Sequence, residues 1–154
     1  MTDLEMLSQI ADDRGLRVAR RPLGPSTKGL IRGDKIVLRN DLTTAEAADT
    51  LAEEIAHDLL TVGDISDQTD AGNRKQEQHA RALAHEIRIG LRGIVRCYEA
   101  GCRSKYEAAE LLGVSEELLA EALERYRQQY GICVQYGQYV IYFEPTLAIF
   151  KRRG

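Results

Sequence analysis

The chain has 154 residues, 44% of them hydrophobic and 29% charged, which is the composition of an ordinary globular protein with one compact domain and a small appendage at most. A net charge of −3 at pH 7 gives no sign of a nucleic-acid or anionic-membrane partner. The three cysteines include no C-x-x-C pair, which argues against a disulfide framework and a thiolate zinc site. The first segment is acidic and no apolar run reaches membrane-spanning length, which argues against a signal peptide and a membrane span. We therefore expect a cytoplasmic protein.

The first half of the chain predicts a helix, a hairpin and two further helices. Leucines and an isoleucine at helical spacing precede Gly15, and two strand-like runs flank the turn at residues 32–34. Thr43 and Glu46 form a capping box that opens the second helix, which Gly63 is expected to end. The apolar stripe of this helix is Ala47, Leu51, Ile55 and Leu59. A third helix is expected to begin at residues 73–76 and to stop at Gly90.

The second half predicts three more helices and a terminal hairpin. Gly101 ends the first of these helices, and Ser104 and Ser115 cap the next two. Strand-like runs at residues 139–143 and 146–150 then form the hairpin. We therefore predict an α+β fold that is mostly helical with a small sheet. We expect a core of residues 1–101 and a C-terminal helical subdomain of residues 102–154, whose hairpin packs back on the core.

The stretch Glu53-Glu54-Ile55-Ala56-His57 is similar to the zinc-protease motif His-Glu-x-x-His, with its first histidine replaced. Glu53 and His57 lie four residues apart on one helix face and are candidate metal ligands, and Glu54 between them is the candidate general base. The alternative is a solvated polar face, because these residues lie opposite the apolar stripe. The helix by itself leaves both interpretations open.

Glu77 on the next helix is the candidate third ligand. It lies at the edge of the apolar face formed with Ala80 and Ala84, where a carboxylate needs a cation, and an antiparallel return brings it toward His57. Three protein ligands leave a fourth position for water, as a catalytic zinc site requires. His79 and His85 point in other directions round the helix and are expected to be surface or packing residues. A second Glu-x-x-His, which a di-iron site needs, is missing from the sequence.

The order of several motifs resembles the ImmA/IrrE-type metallopeptidase family, in particular its short forms from phages and mobile elements. The matching pieces are residues 28–30, 35–42, 51–57, 61–65, 74–84 and 106–115. The resemblance implies a minimal zincin-like fold, Glu54 as base, His57 and Glu77 as ligands, and a bound Zn²⁺ or another divalent metal. Glu53 departs from the family's usual histidine. The implied activity is a metallo-endopeptidase that cleaves a regulatory protein, such as a mobile-element repressor.

The predicted helix pair from Ser104 to Tyr130 resembles a helix-turn-helix, yet its second helix starts with acid. Glu116 and Glu117 would repel phosphate at the end that enters a DNA groove, so a nucleic-acid partner is disfavoured. Two alternatives to the peptidase are therefore kept, a non-catalytic protein-binding module and, less favoured, a transcriptional regulator. For a peptidase, we predict that substrate lies along an exposed edge at the strand of residues 35–39.

Overall fold

The computed structural model describes residues 2–61 and 70–153, without the side chains of residues 70, 71 and 73. The described residues form six helices and six strands, and the predicted α+β class is confirmed. The helices are α1 (Asp3–Asp13), α2 (Thr44–Thr61), α3 (Asp70–Arg88), α4 (Gly90–Glu99), α5 (Lys105–Leu112) and α6 (Glu116–Tyr130). The strands are β1 (Arg17–Arg21), β2 (Gly29–Arg32), β3 (Lys35–Arg39), β4 (Cys133–Tyr136), β5 (Tyr139–Tyr142) and β6 (Ala148–Lys151). None of the described helices is long and apolar enough to cross a membrane.

Contacts divide the chain into two compact units, Met1–Ala84 and His85–Gly154. This division lies within α3 and not at Gly101, because the buried residues of α4 pack in the same cluster as those of α5 and α6. The buried Ile141 of β5 belongs to that second cluster as well. How the chain divides into functional domains stays a prediction.

The first unit contains a three-stranded sheet with the order β1-β3-β2. β1 runs parallel to β3, and β2 pairs with β3 in the antiparallel hairpin that the sequence predicted. β3 is therefore the central strand, and the prediction that residues 35–39 offer a free edge is wrong. The edge strands in the described residues are β1 and β2.

One face of this sheet packs on α1 and α2. Ile36 and Leu38 of β3 are almost fully buried, and they join the apolar residues of α2 in one core cluster. Ala47, Leu51 and Ile55 lie in that cluster as the predicted stripe requires, whereas Leu59 is 40% exposed. The predicted end of this helix at Gly63 lies outside the described residues.

The second unit joins α4, α5 and α6 to a sheet with the order β4-β5-β6. The helix pair begins as predicted, since the hydroxyls of Ser104 and Ser115 accept backbone N–H bonds from Glu107 and Leu118. Gly113 ends α5 in the left-handed conformation. The predicted terminal hairpin corresponds to β5 and β6, which pair antiparallel. The sequence analysis missed β4 here and β1 in the first unit.

Candidate metal and active site

Three of the four candidate site residues lie on α2, and the phase of this helix is fixed at its first turn. The Thr43 N–H donates to Glu46 Oε1 at 3.1 Å, and the Glu46 N–H donates to Thr43 Oγ1 at 3.2 Å. These reciprocal bonds are the predicted capping box. At about 100° per residue, Glu53 and His57 share one direction. Their side chains are 28% and 22% exposed, whereas Glu54 lies deeper and is only 8% exposed.

Glu77 on α3 comes back to this part of α2. Its Oε2 lies 3.1 Å from His57 Nε2, and Glu53 Oε1 lies 4.0 Å from the same nitrogen. One ligand atom from each of the three residues lies within 4.8 Å of the others. The structure thus brings together the three residues that the sequence proposed as metal ligands, from two different helices.

The donor set and its charge fit a divalent cation. One imidazole nitrogen and two carboxylate oxygens are accepted ligands of Zn²⁺, and the carboxylates also suit harder divalent ions. Arg81 is a competing partner, because its Nε lies 3.8 Å from Glu53 Oε1. This ion pair is long and half of the Arg81 side chain is exposed, so water and salt weaken it. A metal ion that binds Glu53 would displace a weak contact.

Glu54 has an environment that favours its protonated form. The pKa of its carboxyl is raised to about 7, chiefly by burial and in smaller part by the neighbouring carboxylates Glu53 and Glu77, while the His57 imidazole acts in the opposite direction. A buried carboxyl with a pKa near neutrality is suited to accept a proton and release it again. A divalent cation held beside it would favour the ionised form.

A cleft of about 340 Å³ opens beside these residues. Its lining consists of Ile31, Gly33, Glu54, His57, Asp58 and Thr61. The sequence analysis did not single out Ile31, Gly33, Asp58 or Thr61 as site residues. The glycine of the hairpin turn was visible in the sequence, but nothing local indicated that this turn lies next to α2. Asp58 is already engaged, because Arg14 donates to its Oδ2 from two nitrogens at 3.0 and 2.8 Å.

The two other described histidines do not take part in this cluster. His79 is exposed. His85 is 4% exposed, and its Nδ1 accepts a hydrogen bond from Arg125 Nε at 3.0 Å. One is thus a surface residue and the other a packing residue, as their directions on the helix predicted.

Comparison with known proteins identifies the family. The model of a peptidase family, described as the IrrE N-terminal-like domain, matches residues 11–124. This chain belongs to that family. A search of curated proteins found no matching sequence. The matched range contains all four site residues, both strands of the hairpin and the first two turns of α6. The family has peptidase activity of the metal-dependent kind, so the class of substrate is protein.

Proposed function

We propose that the protein is a metal-dependent endopeptidase in which Glu53, His57 and Glu77 hold one divalent ion and Glu54 is the general base. The observation that carries this proposal is the convergence of three ligand atoms within 4.8 Å beside a buried carboxyl. Zn²⁺ is our first candidate, with another divalent ion as the alternative. Two carboxylates and one imidazole are a harder and more charge-neutralising set than three imidazoles.

A divalent ion at this site would polarise a peptide carbonyl and make a nearby water more acidic. Glu54 then takes a proton from the attacking water as its oxygen bonds to the carbonyl carbon. The same carboxyl delivers the proton to the leaving nitrogen as the C–N bond breaks. A bound divalent ion would favour the ionised form of Glu54, which is the form that accepts this proton. The products are a free carboxyl terminus and a free amine.

We propose that substrate extends along the free edge of β2, in place of the strand first predicted. Arg39 N–H donates to the Lys28 carbonyl at 2.7 Å, which fixes the alternation of the hairpin. Because bonded pairs alternate along antiparallel strands, Leu30 and Arg32 direct their backbone groups toward β3. Gly29 and Ile31 direct theirs to the free edge, and Ile31 lines the same cleft as Glu54. Extended peptides add to sheet edges of this kind.

The edge can be tested with a matched pair of substitutions at Ile31. Ile31→Pro removes the outward N–H without removing a bond to β3, and Ile31→Ala removes most of the side chain but keeps that N–H. We expect Ile31→Pro to raise KM for a protein substrate clearly more than Ile31→Ala does, at similar metal content. Equal KM values in the two variants would mean that substrate binds elsewhere.

The metal site can be tested by elemental analysis of untagged protein purified without added metal. We expect about one divalent ion per chain, which Glu53→Ala, His57→Ala and Glu77→Ala each reduce strongly. His79→Ala is the matched control, because this exposed histidine lies on the same helix as Glu77 but outside the cluster. Metal contents equal to wild type in all three variants would exclude the proposed ligands.

The alternative is a protein-binding module without metal, in which His57 and Arg81 form ion pairs with the glutamates. The 3.8 Å contact between Arg81 and Glu53 favours it. Folded wild-type protein that contains no metal, and takes up none when Zn²⁺ is added, would support this module over the peptidase.

The finer identity of the substrate rests on the resemblance of the sequence to short phage and mobile-element peptidases. We propose a repressor as the protein that is cleaved. We also propose that the protein works in the cytoplasm, which is supported by its three free cysteines. Incubation with candidate repressors, followed by mass spectrometry of the products, tests the first point.

A further inference from the structure

The outer face of the first sheet is strongly basic, in contrast to the chain as a whole. From Arg14 to Arg39 the sequence has eight Lys or Arg residues and one Asp. This segment thus carries +7 in a chain of net charge −3, so the remaining residues together carry −10. Arg14 pairs with Asp58 of α2, and Arg20 alternates to the inner side of β1, so six of the eight cations belong to the outer side of the sheet and its connections.

Strand register arranges the outer residues of the sheet in three rows, which we call the basic face. Arg17, Lys35 and Arg32 are direct cross-strand neighbours in the first row. The middle row is Ala19, Val37 and Leu30. Arg21 and Arg39 are cross-strand neighbours in the third row. The Arg39 N–H bonds to the Lys28 carbonyl, which places Lys28 beside Arg39 as the third cation of this row. Neighbouring strands lie about 5 Å apart, and successive rows about 7 Å apart.

The opposite face of the sheet is the one that packs in the core, so the basic face is the solvent side. Val18, Ile31, Ile36 and Leu38 alternate with the outer residues and contact the first core cluster. The Arg17 side chain is 75% exposed, and Arg21 and Arg32 are exposed as well. Arg39 is the exception, because it donates to Asp41 and to the Pro25 carbonyl and only 16% of its side chain is exposed.

Like charges directly opposite each other destabilise a sheet, so the first row has an energetic cost for the fold. The carboxylate of Asp34 offsets part of this cost, since it lies 3.6 Å from Arg17, although it is 67% exposed. Charges on edge strands can serve to prevent edge-to-edge aggregation. That explanation does not cover Lys35, because β3 is the central strand. An anion supplied by a partner accounts for the whole row.

We propose that the basic face, and above all its first row, binds an acidic stretch of the protein substrate. This inference rests on the proposed peptidase function for the identity of the partner. The first row flanks Gly33, which lines the cleft beside Glu54 and His57. A substrate chain that leaves the cleft past the hairpin turn therefore meets three cations. The apolar middle row suits a segment in which acidic and apolar side chains alternate.

A nucleic acid fits the same face less well. The three strands contain no aromatic side chain on which a base could stack. A duplex also extends far beyond a patch of about 10 by 14 Å, as the strand and row spacings give. Outside the segment from Arg14 to Arg39 the chain is net acidic, which repels a long polyanion. A short acidic stretch of protein needs only the three cations of the first row.

The experiment measures binding, so it does not depend on cleavage or on metal. The probe is a fluorescent 12-residue peptide with glutamate at every second position, titrated at low salt onto the full chain with Glu54→Gln. A second protein adds Arg17→Gln, Arg32→Gln and Lys35→Gln. The matched control adds Arg92→Gln, Arg96→Gln and Arg103→Gln, three exposed arginines of the other unit. A glutamine version of the peptide and a 12-base-pair duplex are the competing ligands.

We expect the variant of the first row to weaken binding of the acidic peptide by about tenfold or more, with a loss of salt dependence. The control should stay within about twofold of the parent protein, because it removes the same number of charges but leaves the first row intact. The first-row variant should also melt no lower than the parent, because it removes like-charge repulsion. Equal binding of the glutamine peptide, or of the acidic peptide by both variants, would overturn the proposal. Tighter duplex binding that the first-row variant abolishes would assign the face to nucleic acid.

The outcome is separable from that of the proposed function. A protein without metal or proteolysis that still binds the acidic peptide through the first row would retain the docking surface and lose only the peptidase. A metal-containing, active protein that ignores the charge of the peptide would keep the peptidase and lose the docking surface.

Discussion

Glu54 on α2 and Glu124 on α6 are glutamates on long helices of the two units, and their environments are opposite. The pKa of Glu54 is raised to about 7, chiefly by burial and in smaller part by two neighbouring carboxylates. Glu124 receives hydrogen bonds from Arg127 to both of its oxygens, at 2.6 and 2.9 Å, and these bonds lower its pKa. In the second unit, the Glu124 carboxylate is thus paired with Arg127, whereas in the first unit burial penalises the charge of the Glu54 carboxylate.

The buried polar groups also differ between the two units. In the second unit, Arg88 donates to the Gly113 carbonyl, and Tyr126 bonds to backbone groups of Gly90 and His85. These contacts hold helices together. In the first unit, Glu54 is buried beside an open cleft and a cluster of ligand-type side chains. Such an arrangement is unfavourable for the fold but suited to proton transfer, which supports the role proposed for Glu54.

The largest expected effect is the loss of proteolysis in Glu54→Gln. The amide keeps the size of the side chain but cannot accept the proton of the attacking water, so the rate should fall by about 10²-fold or more. Cleavage of an unstructured protein, followed by mass spectrometry at equal metal content, measures it. Glu124→Gln makes the same chemical change in the other unit and should retain full activity. A Glu54→Gln protein as active as wild type would refute the role assigned to this carboxyl.

The same substitution should stabilise the metal-free protein in a pH-dependent way. The folded-state pKa of Glu54, about 7, lies above its ordinary value of 4.5, so the folded state holds the proton more tightly. Wild type therefore loses stability as pH rises from 4.5 to about 7, and Glu54→Gln does not. The gain at pH 8 should be at most about 3 kcal/mol, at 1.36 kcal/mol per pKa unit.

Urea unfolding in a chelator at pH 4.5 and pH 8 measures this difference. The two proteins should be close at the lower pH and differ at the higher one. Added divalent metal should shrink the gap, because a cation nearby favours the ionised carboxylate. A gap that is independent of pH would mean that Glu54 keeps its ordinary pKa in the folded protein.

Tyr126→Phe tests how much a buried, hydrogen-bonded hydroxyl stabilises the second unit. The hydroxyl is fully buried, accepts the Gly90 N–H at 3.1 Å and donates to the His85 carbonyl at 3.4 Å. Its removal leaves a buried N–H without this acceptor, so the free energy of unfolding should fall by about 1–2 kcal/mol. Thermal unfolding measures it, while metal content should not change. A variant as stable as wild type would show that the hydroxyl contributes nothing net.

The smallest effect is expected for Glu124→Gln, with the opposite dependence on pH from Glu54→Gln. The lowered pKa of Glu124 means that its charge stabilises the folded state above the ordinary value of 4.5 and is lost as pH falls. The pair with Arg127 is exposed to water, so the drop in melting temperature at pH 7 should be smaller than that of Tyr126→Phe. It should shrink as pH falls below 4.5 and vanish once the carboxylate is protonated in the folded protein. A drop that does not change with pH would point to packing and not to charge.

Local signals in the sequence predicted those parts of the molecule that local interactions fix. The capping residues Thr43, Ser104 and Ser115 start their helices as expected, since each bonds to a backbone N–H three residues away. The positions of Glu53, His57 and Glu77 followed from helical periodicity and from one return of the chain. Their common cluster is therefore largely a consequence of patterns within 25 residues.

Long-range pairing was not predictable in the same way. β1 is rich in arginine and pairs in parallel with β3, although β2 lies between them in the sequence, so no local pattern marks it. The central position of β3 depends on that pairing, and the error about the substrate edge followed from it. The depth of Glu54 was missed for a similar reason, because the helix face opposite an apolar stripe is solvated unless another element covers it.

Gly29 shows how narrowly the spacing of β2 and α2 is set. A Cβ atom at this position would lie 2.6 Å from the Thr50 methyl group and 3.2 Å from the Val37 carbonyl oxygen. Thr50 has little freedom to move aside, because its hydroxyl donates to the Glu46 carbonyl at 2.8 Å. A larger side chain at this position would therefore push β2 away from α2, the two elements that supply Ile31, Glu54 and His57 to the lining of the cleft.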